Sequence, residues 1–208
     1  MLKRTVLVIF ALAVAMQASA KGGIVKTEWG VTAGIRYNGM NAFSASNLSV
    51  KPDMTYNVGI HASLAFAGVA IQPELNYGYT EVKVSYPSGG EMGSSVVTAH
   101  NLEVPLLLSL RMLPVVRFNL GPVFNIMSKT SYKNGNAKMM FGDIHPTFGY
   151  AVGLSVCVLK KLLIDARFVG YFEAPVNEFN YGNVNDPNDT TTFKTKLYSG
   201  GIKIGYLF

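Results

Sequence analysis

The chain has 208 residues, enough for one domain with a substantial interior. Only 14% are charged, well under the roughly 25% of soluble domains, while Gly (21), Phe (12) and Tyr (11) are abundant. The net charge of +6 comes from scattered residues, with no basic stripe among aromatics, which argues against a nucleic-acid partner; the single Cys157 excludes an internal disulfide and a Cys-rich metal site.

Residues 1–20 read as a secretory signal. Lys3 and Arg4 form the basic start, Thr5 to Met16 the apolar stretch, and Ala18-Ser19-Ala20 the cleavage motif before Lys21. That apolar stretch is too short for the roughly 20 residues of a spanning helix, and no Cys follows it to carry a lipid. No later stretch is long enough either. An exported chain that remains in a membrane without helices must close a barrel, because every backbone group needs a partner. Residues 21–208 are therefore expected to form an all-β, eight-stranded antiparallel up-and-down transmembrane β-barrel.

Period-two alternation marks the eight strands. The first sets Trp29, Val31, Ala33, Ile35 and Tyr37 against Gly30, Thr32, Gly34 and Arg36. The second sets Met54 through Phe66 against Asn57, Gly59, His61, Ser63 and Ala65, and Ala67-Gly68 turns into the third, where Val69, Ile71, Pro73, Leu75, Tyr77 and Tyr79 oppose Gln72, Glu74 and Asn76. In the fourth, Leu102 through Leu110 oppose Asn101, Glu103, Pro105, Leu107 and Ser109. In the fifth, Val116 through Ile126 oppose Arg117, Asn119, Gly121, Val123 and Asn125. The sixth sets Phe148 through Val158 against Gly149, Gly153, Ser155 and Cys157. The seventh sets Leu162, Ile164, Ala166 and Phe168 against Asp165 and Arg167; the last sets Ile202, Ile204, Tyr206 and Phe208 against Ser199, Gly201 and Lys203.

A soluble barrel alternates too, so the direction of the faces needs its own argument. The polar set is small (Gly, Ala, Ser, Asn) and nearly free of Lys and Glu, a poor surface for water and a good filling for a narrow lumen. The apolar set carries aromatics at both strand ends: Trp29, Tyr206 and Phe208 at one level, Tyr37, Tyr56 and Tyr79 at the other. The apolar face is thus expected to meet lipid. Ile204→Arg should impair insertion while Gly153→Ser should matter much less. Pro73, Pro105 and Pro122 are read as local bulges. Connections alternate between tight turns and long polar loops (FSASNLSVKPD, YPSGGEMGSS, KTSYKNGNAKMMFGDIH, EAPVNEFNYGNVNDPNDTT), which places both termini in the periplasm.

Eight strands leave an interior filled by side chains rather than a pore. The expected lumen charges are Arg36, His61, Glu74, Glu103, Arg117, Asp165, Arg167 and Lys203, which must pair because isolated buried charge is costly. The Ala67-Gly68 turn sets His61 opposite Glu74, and Asp165, Arg167 and Lys203 should meet. His61 with Ser63 and Glu74 is also the one constellation resembling a nucleophile with its base, but no G-x-S-x-G context or metal-ligand spacing supports an enzyme. Neither His100 near a strand end nor His145 before Pro146 alters that, and Asn185 to Asp189 read as a turn, not a calcium loop. No cofactor is expected. Tyr206 and Phe208 look like the terminal signal read by barrel-assembly machinery.

NLEVPLLLSLR (Asn101 to Arg111), FNLGPVFN (Phe118 to Asn125) and FGYAVGLSV (Phe148 to Val156) resemble the PorT-like outer-membrane β-barrel family, with Arg167-Phe168 where that family often has Arg-Tyr. The resemblance implies an eight-stranded barrel, of the general OmpX/OmpA-like kind, in the outer membrane of a diderm bacterium. The founding member is associated with type IX secretion. The expected function is a non-enzymatic barrel, bathed in outer-membrane lipid, whose four outer loops meet an envelope or extracellular protein. A secretion-assembly component and a lipid-modifying enzyme are the alternatives.

Overall fold

The computed structural model describes residues 26–42, 49–51, 54–88, 91–132, 148–159, 161–172, 176–180 and 190–208. The signal segment 1–20, His145 and the Asn185–Asp189 stretch lie outside them. Ten strands run in chain order: β1 (Lys26–Ala42), β2 (Ser49–Lys51), β3 (Met54–Phe66), β4 (Val69–Ser88), β5 (Glu91–Arg111), β6 (Val116–Tyr132), β7 (Phe148–Val158), β8 (Leu162–Tyr171), β9 (Val176–Asn180) and β10 (Thr190–Leu207). Eight of them pair antiparallel in the order β1-β3-β4-β5-β6-β7-β8-β10, and β10 returns to β1. The sheet is a closed eight-stranded barrel. No helix among the described residues is long and apolar enough to cross a membrane; the crossing is made by strands.

The remaining two strands prolong the wall. β2 continues β3 along β4 (Val50 opposite Val84), and β9 continues β8 along β10 (Asn177 opposite Phe193). Tight connections at 67–68, 112–115 and 159–161 define a turn end, which also holds Lys26 and Phe208; the opposite rim is the loop end. One expected long loop is absent. YPSGGEMGSS is mostly strand, with Tyr86 opposite Gly93 and Ser88 opposite Glu91, so β4 and β5 form a hairpin of 20 and 21 residues joined through 89–90. β6 likewise runs to Tyr132, into the segment read as loop.

The interior is inverted relative to a soluble protein. Among the described residues, eighteen buried side chains are polar or charged and nine are apolar, whereas Val31, Ile35, Val58, Ile71, Leu120, Leu154, Ile202 and Ile204 stand exposed on the outer wall. Burial of that kind is stable only if the outside is itself apolar. The lumen is not uniformly small and polar, however. Leu107, Val123, Ala151, Val169 and Tyr171, on adjacent strands β5 to β8, pack into one buried apolar cluster.

The prolines are not bulges. Pro73 faces Leu106 and Pro105 faces Val123 in unbroken register, and each proline only interrupts a ladder. The missing N–H removes one bond without shifting the strands. The one register shift in this wall lies at Leu102/Glu103, opposite Met127 and Asn125. Ile126, read as lipid-facing, is the extra residue there, and Met127 takes the outward position opposite Leu102.

Candidate functional site

The sequence-derived lumen residues all point inward, and most meet across the barrel. Glu74 on β4 lies at the centre. It accepts hydrogen bonds from Arg167 Nη1 and Nη2 at 2.8 and 2.9 Å, from Lys203 Nζ at 2.7 Å and from Asn76 Nδ2 at 3.1 Å. Arg167 also donates to Asp165 at 2.9 Å. Asp165 sits opposite Lys203 in register, but the lysine turns to Glu74 instead. Asp165 is held by Asn119 from β6, and Asn119 also bonds Ser155.

A second group lies nearer the loop end. Arg36 forms a two-pronged pair with Glu103 at 2.8 and 3.0 Å, the geometry a guanidinium and a carboxylate favour. Tyr171 and Asn101 donate to the same Glu103 oxygen, each at 2.7 Å. At the turn end Arg117 pairs with Glu28 at 2.9 Å. Glu28 escaped the sequence reading because β1 was read from its apolar face, although its position two before Gly30 already put it inside. Four cations (Arg36, Arg117, Arg167, Lys203) thus meet four carboxylates (Glu28, Glu74, Glu103, Asp165). A low-dielectric interior tolerates such charge only when paired.

His61 stands opposite Glu74 in register, with Nδ1 3.9 Å from its carboxylate, beyond hydrogen-bond reach. Neither ring nitrogen nor Ser63 Oγ has a hydrogen-bond partner among the described groups. The carboxylate that would orient the imidazole is committed to Arg167 and Lys203, so no nucleophile–base–orienter chain forms. No cluster of three His, Cys, Asp or Glu suited to a metal occurs among the described residues. Among the described residues a cavity of about 20 Å³ opens between Arg36, Asn57, Asn76, Glu103, Arg167 and Lys203, room for about one water.

Aromatic rings mark both ends of the outer wall. Trp29 stacks on Phe208 with centroids 4.3 Å apart, and Tyr206 meets Phe208 edge-on at 5.2 Å. Toward the loop end Tyr56 pairs with Tyr79, next to exposed Tyr37. Sequence reasoning named only that arc of the upper ring. Its continuation is Phe124, Phe148, Phe172, Tyr150, Phe168 and Tyr198, joined by ring contacts of 5.2 to 6.3 Å. Their outward period-two positions were the available signal. His100 joins this level on the outer wall, bonded to Tyr77 at 2.5 Å, with Glu81 bonded to Tyr79 at 2.7 Å.

A family model described as "Outer membrane protein beta-barrel domain" matches residues 17–208. No curated protein matches the sequence. Among solved structures, the outer membrane protein OprG of Pseudomonas aeruginosa is similar with a TM-score of 0.52 at 13% identity, covering 89% of this chain and 98% of that one. The outer membrane protein AlkL, solved in DMPC bilayers, is similar with a TM-score of 0.52 at 10% identity, covering 90% and 93%. At such identities the likeness is one of fold.

Proposed function

The chain belongs to the outer membrane protein beta-barrel domain family, an outer-membrane protein of Gram-negative bacteria, and from that premise we propose that it is a non-enzymatic barrel working through its loop end. The carrying observation is the lumen: among the described residues four cations are matched by four carboxylates, and the cavity between Arg36, Glu103, Arg167 and Lys203 has space for about one water. Paired charge in a filled interior favours a structural lumen, and on this reading the rim is the place to meet a partner.

The β4–β5 hairpin supports the same reading. From Tyr79 in the aromatic ring to Ser88 at its end is nine residues, which at roughly 3.3 Å per residue and a ~40° tilt carries it about 20 Å beyond the ring. The proposed occupant is an envelope or extracellular protein. The turn end, which holds Lys26 and Phe208, is proposed to face the periplasm, where assembly machinery would read Tyr206 and Phe208. Membership of the PorT-like subgroup is proposed on the Asn101–Arg111, Phe118–Asn125 and Phe148–Val156 segments.

Photo-crosslinking residues at Ser88 and Glu91 test the proposal against Leu120 on the wall. Protein adducts are expected from the hairpin and only lipid adducts from Leu120. Absence of hairpin adducts together with steady conductance in planar bilayers would overturn it. A stoichiometric secretion partner after gentle solubilisation, or altered lipid acylation in a deletion strain, would replace it with one of the other two readings.

A further inference from the structure

The turn end carries an arrangement that barrel closure does not require. Lys161, in the β7–β8 turn, is exposed and folds back onto the last strand: its carbonyl accepts from Leu207 N at 2.7 Å. Its ammonium donates to Tyr206 Oη at 3.2 Å and lies 5.5 Å from the centre of that ring. Among the described residues no carboxylate lies within ion-pair distance of it; Glu28, at this end, is held by Arg117 and Asp165 by Arg167.

Lys161 has two N–H protons left and Tyr206 keeps its hydroxyl proton, so three donors converge beside a net positive charge on the lipid-facing wall. The surroundings match a lipid rather than a free anion. Phe208 and Trp29 extend a stacked aromatic surface from Tyr206, and Leu162 is exposed beside it. Leu159 at the turn tip is 88% exposed, and Met112 and Leu113 of the β5–β6 turn are 65% and 59% exposed. Apolar tips among exposed Lys26, Arg111 and Lys161 suit an interfacial layer of negative charge over hydrocarbon.

We propose that Lys161 and Tyr206 bind the phosphate of an anionic phospholipid whose chains lie along Phe208, Trp29 and Leu162. This site rests on the membrane-spanning reading above, and it fixes the turn end in the leaflet rich in anionic phospholipid.

The test is native mass spectrometry of the full protein, released from vesicles holding equal amounts of phosphatidylglycerol and phosphatidylcholine of matched chains. Wild type is expected to retain phosphatidylglycerol preferentially. Lys161→Arg should keep the preference, while Lys161→Glu should lower it by at least about fivefold, the factor one interfacial cation commands; Tyr206→Phe should lower it by less. Heat-modifiable migration in gels shows that each variant is folded. Equal retention of the two lipids, or an unchanged preference in Lys161→Glu, overturns the site. Displacement of the lipid by glycerol 3-phosphate in solution would make the ligand a free phosphate and overturn the lipid assignment. Failure of wild type to insert into the vesicles would instead strike the barrel reading itself.

Discussion

Glu74→Gln is the sharpest perturbation of the lumen. Glu74 is 3% exposed and neutralises Arg167 and Lys203 through three direct bonds. After the change Arg167 keeps Asp165 at 2.9 Å, but Lys203 has no other carboxylate within ion-pair distance among the described residues. A buried lysine is then left uncompensated, a situation that costs about 3–5 kcal/mol. That is a large share of the roughly 5–15 kcal/mol that holds a domain together. Urea unfolding in lipid vesicles, followed by fluorescence of the single Trp29, reads the loss. Adding Lys203→Met to Glu74→Gln removes the orphaned charge and should recover at least about 1 kcal/mol. A loss below about 1 kcal/mol with no recovery in the double variant would mean that water already solvates the cluster, and the sealed lumen would be refuted.

Gly153→Ser is expected to cost about 1–3 kcal/mol or block folding, because a Cβ there would stand 2.6 Å from the Ala166 carbonyl and 3.1 Å from Arg167 Cα. Gly200→Ala, with open space around the added carbon, should be near neutral in the same unfolding assay. Ile204→Arg, at a site 56% exposed on the outer wall, should cost about 2–4 kcal/mol if it lies near the bilayer midplane, read as folding yield into vesicles. Glu103→Gln should orphan Arg36 and, by the argument applied to Glu74, cost about 3–5 kcal/mol on the same denaturant axis.

How far the fold could be read from the chain depends on the range of the interaction. The His61–Glu74 pairing was legible because a two-residue turn fixes register locally. The faces were legible because alternation reports them directly. Arg36–Glu103 and Glu28–Arg117 were not, since their partners lie 67 and 89 residues apart and meet across the lumen. Which side chains face one another there depends on barrel tilt and stagger, which no single strand records. The same limit explains Gly153. Its neighbours show a small residue on the inner face, but only the closeness of β8 makes the missing Cβ necessary. YPSGGEMGSS misled because its Gly, Ser and Pro content reads as loop, while long paired neighbours hold it as strand.

The single tryptophan offers the most direct check on the central claim that the apolar face meets lipid. Brominated lipids quench a tryptophan according to the depth at which the bromine sits. Trp29 should be quenched most by bromine near the headgroup. With Trp29→Phe in place, Leu120→Trp, at an outward site 46% exposed, should be quenched most by bromine near the chain middle. If Leu120→Trp folds and escapes quenching at every depth while water-soluble quenchers reach it, the outer wall faces water and the assignment of the two faces is wrong.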